Sequence, residues 1–178
     1  HAAGRKLTAL AWNRDPRHID TRRRAHSAGA QSALGRRPAI ERVFKPTLHH
    51  LADRIGARLR AKSLAGRTIT VRVRFADLRS VTRALTVSAP ISATRALAEI
   101  AENLVRGVLT DHRDERTISL LAISVSHLEA HTIVQLELPL GLADEGRRPG
   151  AKKGMARSRA DGAADAIPKR FGRNAVAY

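Results

Sequence analysis

Cysteine is absent from this chain of 178 residues, and aromatic residues make up only 3% of it. The first absence excludes disulfide bonds, thiolate nucleophiles and zinc sites with cysteine ligands. The second argues against a surface that stacks nucleic-acid bases on aromatic rings. No apolar run approaches the roughly 20 residues of a membrane-spanning helix, so we expect no membrane partner. Acidic residues are also few, at 16 against 33 Lys and Arg, and the net charge of +17 indicates a polyanionic partner.

Basic charge is not spread evenly along the chain. Residues 1–66 contain fifteen basic and four acidic residues, and residues 14–37 lack periodicity, so we interpret this stretch as a basic linker. Arginine makes up 27 of the 33 basic residues, which either serves bidentate phosphate binding or reflects a GC-rich genome. The chain begins His-Ala-Ala-Gly without a signal-peptide pattern, so we expect it to be a fragment of a longer protein.

Hydrophobic periodicity predicts a long amphipathic helix in the first half of the chain. Apolar residues recur at steps of three and four over residues 40–59, and Arg54, Arg58 and Lys62 face away from that stripe. Pro46 interrupts the pattern. It either kinks this helix or begins its main part.

Three further helical segments follow from the same kind of pattern. A short helix ends at Asn13, which tolerates the left-handed conformation of a helix C-terminus. Ser92 is a candidate N-cap for a second long helix that ends near Asp111. Residues 164–171 form a helical stretch that Pro168 and Gly162 disfavour.

Alternation of polar and apolar residues predicts four strands. Residues 67–75 alternate throughout, and residues 80–87 continue the alternation after a turn at Asp77, so the two read as a hairpin. Residues 117–126 are β-branched and apolar, with a phase change near Leu120 and Leu121 that indicates a bulge. Propensity suggests a first strand around residues 25–33. In the hairpin we expect the following side chains to point outward: Thr68, Thr70, Arg72, Arg74, Ser80, Thr82, Ala84 and Thr86, with Val81, Leu85 and Val87 inward.

The predicted order, strand-helix-strand-strand-helix-strand, indicates an α+β fold. A βαββαβ order is typical of the ferredoxin-like arrangement, a four-stranded antiparallel sheet with two helices on one face. The other face of the sheet then carries Thr, Ser and Arg. Such a face either grips phosphates through hydroxyls and guanidinium groups or is an ordinary solvated surface, and the pattern favours neither.

No catalytic or metal site is evident in the sequence. The acidic pairs Asp114-Glu115 and Asp144-Glu145 lie in charged loops, where a solvated role is the simpler interpretation. His127 and His131 are four residues apart, but they follow a strand and lack a third ligand nearby. Ser27 and Ser126 have no base beside them in the sequence.

A short apolar peptide follows the last strand, with the sequence Gln135-Leu136-Glu137-Leu138-Pro139-Leu140. A Gln followed by several Leu in an extended peptide suits docking into an apolar pocket of a partner. The alternative is a stray edge strand.

These segments together resemble the C-terminal part of Y-family translesion DNA polymerases of the DNA polymerase IV type. Residues 22–31, Arg-Arg-Arg-Ala-His-Ser-Ala-Gly-Ala-Gln, are similar to the Lys-Ser-Val-Gly-x-Glu stretch that joins the thumb to the little finger. Residues 48–75 and 81–83 resemble the first helix and central hairpin of the little finger. The departures are His26, Gln31, Leu85, Ser119 and Ser124, and the last two stand where basic residues are common in the family.

The resemblance implies a division of the chain and a function. Residues 1–20 would be the end of the thumb, 21–37 the basic linker and first strand, 38–130 the little finger, 131–145 a clamp-binding segment and 146–178 a basic tail. The little finger would lie in the major groove and grip duplex or primer-template DNA. The residues implied in DNA binding are Ser27, Gly29, Thr70, Arg72, Arg74, Thr82, Arg83 and Thr86.

The resemblance also implies partners. Residues 135–140 are similar to the family's sliding-clamp motif, with Gln135, Leu136, Leu138 and Leu140 as the contacts and with Leu140 where Phe is usual. The parent polymerase would use Mg²⁺ bound in a palm domain, whereas this chain would hold no cofactor or catalytic residue. A cytoplasmic, nucleoid-associated monomer is expected. The rival interpretation is a freestanding basic ferredoxin-like protein that binds RNA or belongs to the ribosome.

Overall fold

The predicted order of strands and helices is confirmed in the computed structural model, which describes residues 2–15, 17, 25–130 and 160–167. None of the helices among these residues is long and apolar enough to cross a membrane. The elements are α1 (Ala2–Ala11), β1 (Ser27–Pro38), α2 (Glu41–Ala61), β2 (Leu64–Phe75), β3 (Ser80–Ile91), α3 (Thr94–Asp111), β4 (Thr117–Ala130) and α4 (160–167).

The four strands form one antiparallel sheet in the order β1-β4-β2-β3. The α+β class and the four-stranded antiparallel sheet are confirmed. The last strand lies between the first and the second, which the order of elements along the chain does not specify. Helix α2 packs mainly on β1 and β4, and α3 packs on β2 and β3, with the two helices in contact with each other. Both helices therefore lie on one face of the sheet, and the opposite face is left uncovered.

Strict alternation in β2 explains which face is buried. Ile69, Val71, Val73 and Phe75 are fully buried, whereas the residues between them are partly or fully exposed. They pack against the apolar stripe of α2, which includes Phe44, and against that of α3. Removing this apolar surface from water is the main favourable contribution to folding. The helical stripe of α2 consists of Phe44, Leu48, Leu51, Ala52, Ile55 and Leu59.

Pro46 lies inside α2, which runs as one helix from Glu41 to Ala61. Of the two alternatives left by the sequence, a helix that begins at Pro46 is therefore wrong. Proline has no N–H, so it cannot bond the carbonyl of Arg42 four residues earlier. The hydroxyl of the next residue, Thr47, donates to the carbonyl of Val43 at 3.1 Å. One missing hydrogen bond near the start of a 21-residue helix does not end it, because the buried stripe continues on both sides.

A bulge in β4 changes which side chains face the core. Arg74 lies opposite Leu120, and Phe75 lies opposite Ile118, so Ser119 has no partner residue on β2. The Ser119 hydroxyl donates to the carbonyl of Phe75 at 2.7 Å. The predicted phase change is confirmed, and it falls one residue before Leu120. The bulge lets both Ile118 and Leu121, an odd number of residues apart, face the core.

Two local predictions are wrong, and a third is confirmed only in part. Ser92 is not the N-cap of α3, because the helix begins at Thr94 after Ala93, which makes no side-chain cap bond. Leu85 lies opposite Ile69 and so faces inward as predicted, but it is 44% exposed, since β3 is an edge strand that the helices cover incompletely. The last helix covers 160–167 and not 164–171, and it ends at the residue before Pro168, as helices commonly do.

Helix α4 is joined to α2 and α3 through Arg60. The Arg60 guanidinium donates to the Asp165 carboxylate at 2.6 and 2.9 Å and to the carbonyl of Ser92 at 3.0 Å. Asp161 accepts the N–H of Thr94 at 2.9 Å, so α4 supplies the carboxylate that caps α3. Gly56 leaves room for this arrangement, since a Cβ there would lie 2.7 Å from Arg60 Nη1.

For both Arg60 and Asp53, burial shifts the pKa in one direction and the neighbouring charges of opposite sign shift it in the other. Burial lowers the pKa of Arg60, but the hydrogen bonds and charge of Asp165 outweigh it, so that the pKa is raised overall. Asp53 lies near the same cluster, and burial raises the pKa of its carboxyl despite the charge of Arg60. Asp165 therefore stabilises the buried cation directly, whereas Asp53 is held there at a cost of desolvation.

Candidate nucleic-acid interface

The uncovered face of the sheet, called the outer face below, is built from four residues on each strand. The strand register places them in four rows that cross the sheet from β1 through β4 and β2 to β3. Side chains on one face of a sheet repeat every second residue, so each row is separated from the next by about 6.6 Å. The rows are Ser27, Ser126, Thr68 and Thr86; Gly29, Ser124, Thr70 and Ala84; Gln31, Ala122, Arg72 and Thr82; and Ala33, Leu120, Arg74 and Ser80.

None of these positions holds a carboxylate, and the two arginines bond neutral oxygens. Arg72 Nη2 donates to Gln31 Oε1 at 3.0 Å, reaching across β4 above the small side chain of Ala122. Arg74 Nε donates to the Ser119 hydroxyl at 3.0 Å. Within the described residues neither arginine forms an ion pair, so no carboxylate offsets the positive charge of either, and the hydrogen bonds fix their positions.

Arginines on the helix-bearing side of the sheet have a different environment. Arg79 pairs with Glu115, and Arg83 pairs with Asp111. Arg106 Nε and Nη2 donate to Glu41 and Glu102, at 2.9 and 3.0 Å. The positive charges of these three arginines are therefore offset by neighbouring carboxylates.

Seven of the eight residues predicted to bind DNA come together on the outer face. The exception is Arg83, which lies opposite Val71 in the register and so points to the helix-bearing side. Alternation explains this placement, because a strand that turns Val81 and Leu85 inward turns Arg83 the same way. The resemblance to the family hairpin placed Arg83 beside Thr82, but neighbours along a strand face opposite sides. The other seven are Ser27, Gly29, Thr70, Arg72, Arg74, Thr82 and Thr86.

A sequence profile of the impB/mucB/samB family C-terminal domain matches residues 25–138, which is more than half of the chain. The chain belongs to this family. The resemblance to the C-terminal part of DNA polymerase IV is thereby confirmed. The matched region contains the whole sheet, both long helices and the first part of the apolar peptide.

Relatives and solved structures agree with the family assignment. The chain is 70% identical over 177 residues to "DNA polymerase IV 2" of Mesorhizobium japonicum, and it spans 43% of the length of that relative. In fold it is similar to a Y-family DNA polymerase chimera of Dbh and Dpo4, with a TM-score of 0.52 at 19% identity over 71% of this chain and 35% of that one. A DinB family error-prone DNA polymerase from Sulfolobus solfataricus gives 0.50 at 18% identity, over 70% and 36%.

Hydroxyl groups of this family domain form a bonded row at one end of the outer face. Thr68 Oγ1 lies 2.9 Å from Thr86 Oγ1 and 2.9 Å from His127 Nδ1. His127 has a φ of 52°, so its ring turns onto the outer face, out of the strand alternation. His127 thus bonds a threonine, whereas His131 lies outside the described residues. No three His, Asp or Glu side chains in the described parts of the chain are grouped to hold a metal ion.

Five polar members of the outer face were not among the predicted DNA-binding residues: Thr68, Ser80, Ser124, Ser126 and Gln31. Ser80 was expected only to point outward. Thr68 was assigned to the correct face, and Ser124 was treated only as a departure from the family. Ser126 follows from the alternation of β4 beyond the bulge. Gln31 becomes significant only once the register of β1 shows that it reaches Arg72.

Gly29 has no side chain, so the second row of the outer face does not project above the sheet at β1. A Cβ there would lie 3.3 Å from the carbonyl oxygen of Ile123 on β4 and 3.7 Å from the Cβ of Ser124. Glycine in the middle of a strand often marks a place where another backbone approaches closely.

The predicted clamp-binding peptide, residues 135–140, lies outside the described residues. The contacts of Gln135, Leu136, Leu138 and Leu140 therefore stay a prediction.

Proposed function

We propose that this chain is the DNA-gripping and clamp-tethering part of an error-prone translesion DNA polymerase. The observation that carries the proposal is the outer face, on which sixteen aligned positions contain hydroxyls and two charge-unpaired arginines but no carboxylate. The name of the relative "DNA polymerase IV 2" supports the same activity. Since the chain spans 43% of that relative, the activity of the whole protein is part of this proposal.

The dimensions of the outer face suit a DNA groove. Four strands spaced about 4.8 Å apart give a face about 14 Å wide, close to the ≈12 Å width of the major groove of B-DNA. A sheet of this width brings both backbones that border the groove within reach of its side chains. Hydroxyl and guanidinium contacts to phosphates fix the position of a duplex without reading its sequence. We therefore expect binding with little base preference.

Catalysis is assigned to other parts of the polymerase. Phosphoryl transfer by polymerases depends on metal ions held by converging carboxylates. The magnesium ion implied for the parent enzyme has no set of ligands among the described residues. We expect this chain alone not to extend a primer. The interpretation of residues 1–20 as the end of the thumb likewise stays part of the proposal.

The test of DNA binding compares two pairs of arginines. We expect the double variant Arg72→Ala and Arg74→Ala to lower the slope of log K against log salt by about 1.8, because each lost phosphate contact on B-DNA removes about 0.9. The matched control is Arg79→Ala with Arg83→Ala, which removes the same charge from the helix-bearing side. Binding to a fluorescent 20-base-pair duplex is measured by anisotropy at several salt concentrations.

Two outcomes would contradict the proposal. An equal loss of slope in both double variants would mean that net charge alone drives binding. Tighter binding to double-stranded RNA than to the matching DNA would favour the rival RNA-binding protein, since a sheet that enters the major groove of B-DNA cannot enter the deep, narrow one of A-form RNA.

Tethering to a sliding clamp is proposed for residues 135–140. Gln135 would hydrogen-bond at the rim of an apolar pocket, and Leu138 and Leu140 would be buried in it, each worth roughly 1.5–3 kcal/mol before ordering costs. Calorimetry with the purified clamp compares the native chain, the double variant Gln135→Ala and Leu138→Ala, and Leu140→Phe. We expect loss of binding in the first variant and tighter binding in the second, because Phe fills more of the pocket. Equal affinities for all three would show that this peptide is not the tether.

A further inference from the structure

Helix α2 carries a row of basic side chains on the side away from the core. His50, Arg54, Arg58 and Lys62 follow one another at steps of four residues, and all four are exposed. The three within the helix line up on one side of it, and the last lies at its C-cap. Arg58 Nε donates to the carbonyl of Arg54 at 3.1 Å, and no carboxylate pairs with any of the four in the described parts of the chain. We call this row the α2 ridge.

The α2 ridge lies next to the outer face, although the two belong to opposite sides of the sheet. Arg54 and Arg58 line the same open depression, of about 650 Å³, as Gly29, Thr70 and Arg72. Helix α2 packs over β1, the edge strand, so its arginines stand beside that edge. Residues 28–33 of β1 are Ala-Gly-Ala-Gln-Ser-Ala, and these mostly small side chains form a low edge that long arginine side chains can pass.

We propose that Arg54 and Arg58 extend the DNA-binding surface around the edge of β1. The inference rests on the proposed function, because it assigns to these two arginines the phosphates of a duplex that already lies on the outer face. The outer face holds the central part of the duplex, and the α2 ridge binds the backbone that continues past β1. Neither arginine belongs to the set that the sequence predicted to bind DNA.

The chemistry of the depression favours a phosphate backbone as the ligand. Its lining contains three arginines, the hydroxyls of Thr70, Thr82 and Ser124, and no acidic residue. Arg54 and Arg58 are separated by about 6 Å along the helix axis, close to the roughly 6.8 Å that two nucleotides rise along a DNA strand. Unpaired positive charge thus lies on both sides of Gly29 in this depression. Arg72 is on the outer face, and Arg54 and Arg58 are on the ridge.

The test uses the full chain and duplexes of two lengths. A duplex of about 8 base pairs is long enough to occupy the outer face, and one of about 20 base pairs continues past the edge of β1. On the long duplex we expect Arg54→Ala with Arg58→Ala to lower the salt slope by up to about 1.8, which is roughly tenfold in affinity between 50 and 200 mM salt. On the short duplex we expect little change.

Three reference variants make the result interpretable. Arg72→Ala with Arg74→Ala should lower the slope on both duplexes, because the outer face is used in each. Arg83→Ala with Arg95→Ala removes the same charge from arginines that pair with Asp111 and Glu99, and should leave both slopes nearly unchanged. Alanine is the best helix former, so the α2 variant should keep its native circular dichroism. His50→Ala in the same background tests whether the ridge extends further.

Each outcome has a separate meaning. If the α2 variant keeps the native slope on the long duplex while the Arg72 and Arg74 variant loses it, the extension is wrong and the proposed function stands. If neither variant changes the slope, the outer face itself is not the DNA-binding surface. Equal losses on both duplexes in the α2 variant would place these arginines within the primary contact and would also overturn the extension.

Discussion

The two sides of the sheet differ in how their arginines are neutralised. On the helix-bearing side, Arg79, Arg83 and Arg106 are paired with carboxylates of neighbouring elements. On the outer face, Arg72 and Arg74 are positioned by a glutamine and a serine, which fix geometry without cancelling charge. These three arginines are thus paired within the fold, whereas Arg72 and Arg74 on the outer face are left for a ligand.

This difference shows that a net charge of +17 is a poor guide to where a polyanion binds. Both sides contain arginines, and a count of residues does not distinguish them. What distinguishes them is the distribution of the acidic residues, which in the described parts of the chain lie mainly beside helix-side arginines. The field of a surface depends on the charges that remain unpaired on it.

The largest expected effect comes from placing a carboxylate on the outer face. Thr70→Glu puts a negative charge in the second row, next to Arg72 in the third, and directly against the phosphates. We expect a loss of duplex affinity on the order of 100-fold, because juxtaposed like charges at an interface cost several kcal/mol. Anisotropy titration at fixed salt measures it. The control is Thr110→Glu, the same substitution at an exposed position of α3, and an equal loss there would remove the distinction between the two sides.

A second prediction concerns the ion pair that holds α4. Asp165→Asn should lower the free energy of unfolding by about 1–3 kcal/mol, because the largely buried Arg60 loses a charged acceptor. Urea unfolding followed by circular dichroism measures this change.

Asp53→Asn is the matched control for Asp165→Asn. Since burial raises the pKa of Asp53, the native state binds its proton more tightly than the unfolded chain does. Its contribution to stability therefore decreases as pH rises through the range just above the ordinary value of 3.8. We expect Asp53→Asn to raise stability slightly at neutral pH, because a desolvated charge is removed, and to remove this pH dependence. A larger loss in Asp53→Asn than in Asp165→Asn would mean that α4 is not held by Asp165.

The smallest expected effect comes from a substitution that pairs an arginine of the outer face with a carboxylate, as arginines on the helix-bearing side are paired. Gln31→Glu replaces the neutral acceptor of Arg72 by a carboxylate of nearly the same shape. We expect duplex affinity to fall by about threefold to tenfold, with a slope lower by up to about 0.9, because one phosphate contact is weakened. Gln135→Glu, at the other glutamine of the chain, controls for net charge. Unchanged binding in Gln31→Glu would show that pairing of Arg72 does not limit contact with DNA.

Much of the fold could be predicted because its signals are local. The alternation of β2 identifies both its buried face and its outer face, and the phase change near Leu120 identifies the bulge at Ser119. The order of the strands in the sheet could not be predicted, since it depends on contacts between residues far apart in sequence. The bond between Arg72 and Gln31 requires β4 to lie between β1 and β2, so it depends on the same long-range information.

The site was predicted less completely than the fold, for two physical reasons. Alternation along β3 places Arg83 on the helix-bearing side. The resemblance to the family hairpin nevertheless led to its inclusion among the predicted DNA-binding residues. Arg54 and Arg58 were recognised as facing away from the core, yet their nearness to the outer face depends on how α2 packs along the β1 edge. A charged residue acquires a role from its neighbours in space, which the helical period alone does not specify.

The contact made by α4 bears on where this domain ends. The family profile matches residues 25–138 and therefore stops before α4, whereas α4 caps α3 and neutralises a cation inside the fold. A chain cut at the profile boundary would lose the capping carboxylate of Asp161 and leave Arg60 without its ionic partners. The part of the chain that is bound together by these contacts therefore extends beyond the region that the family profile matches.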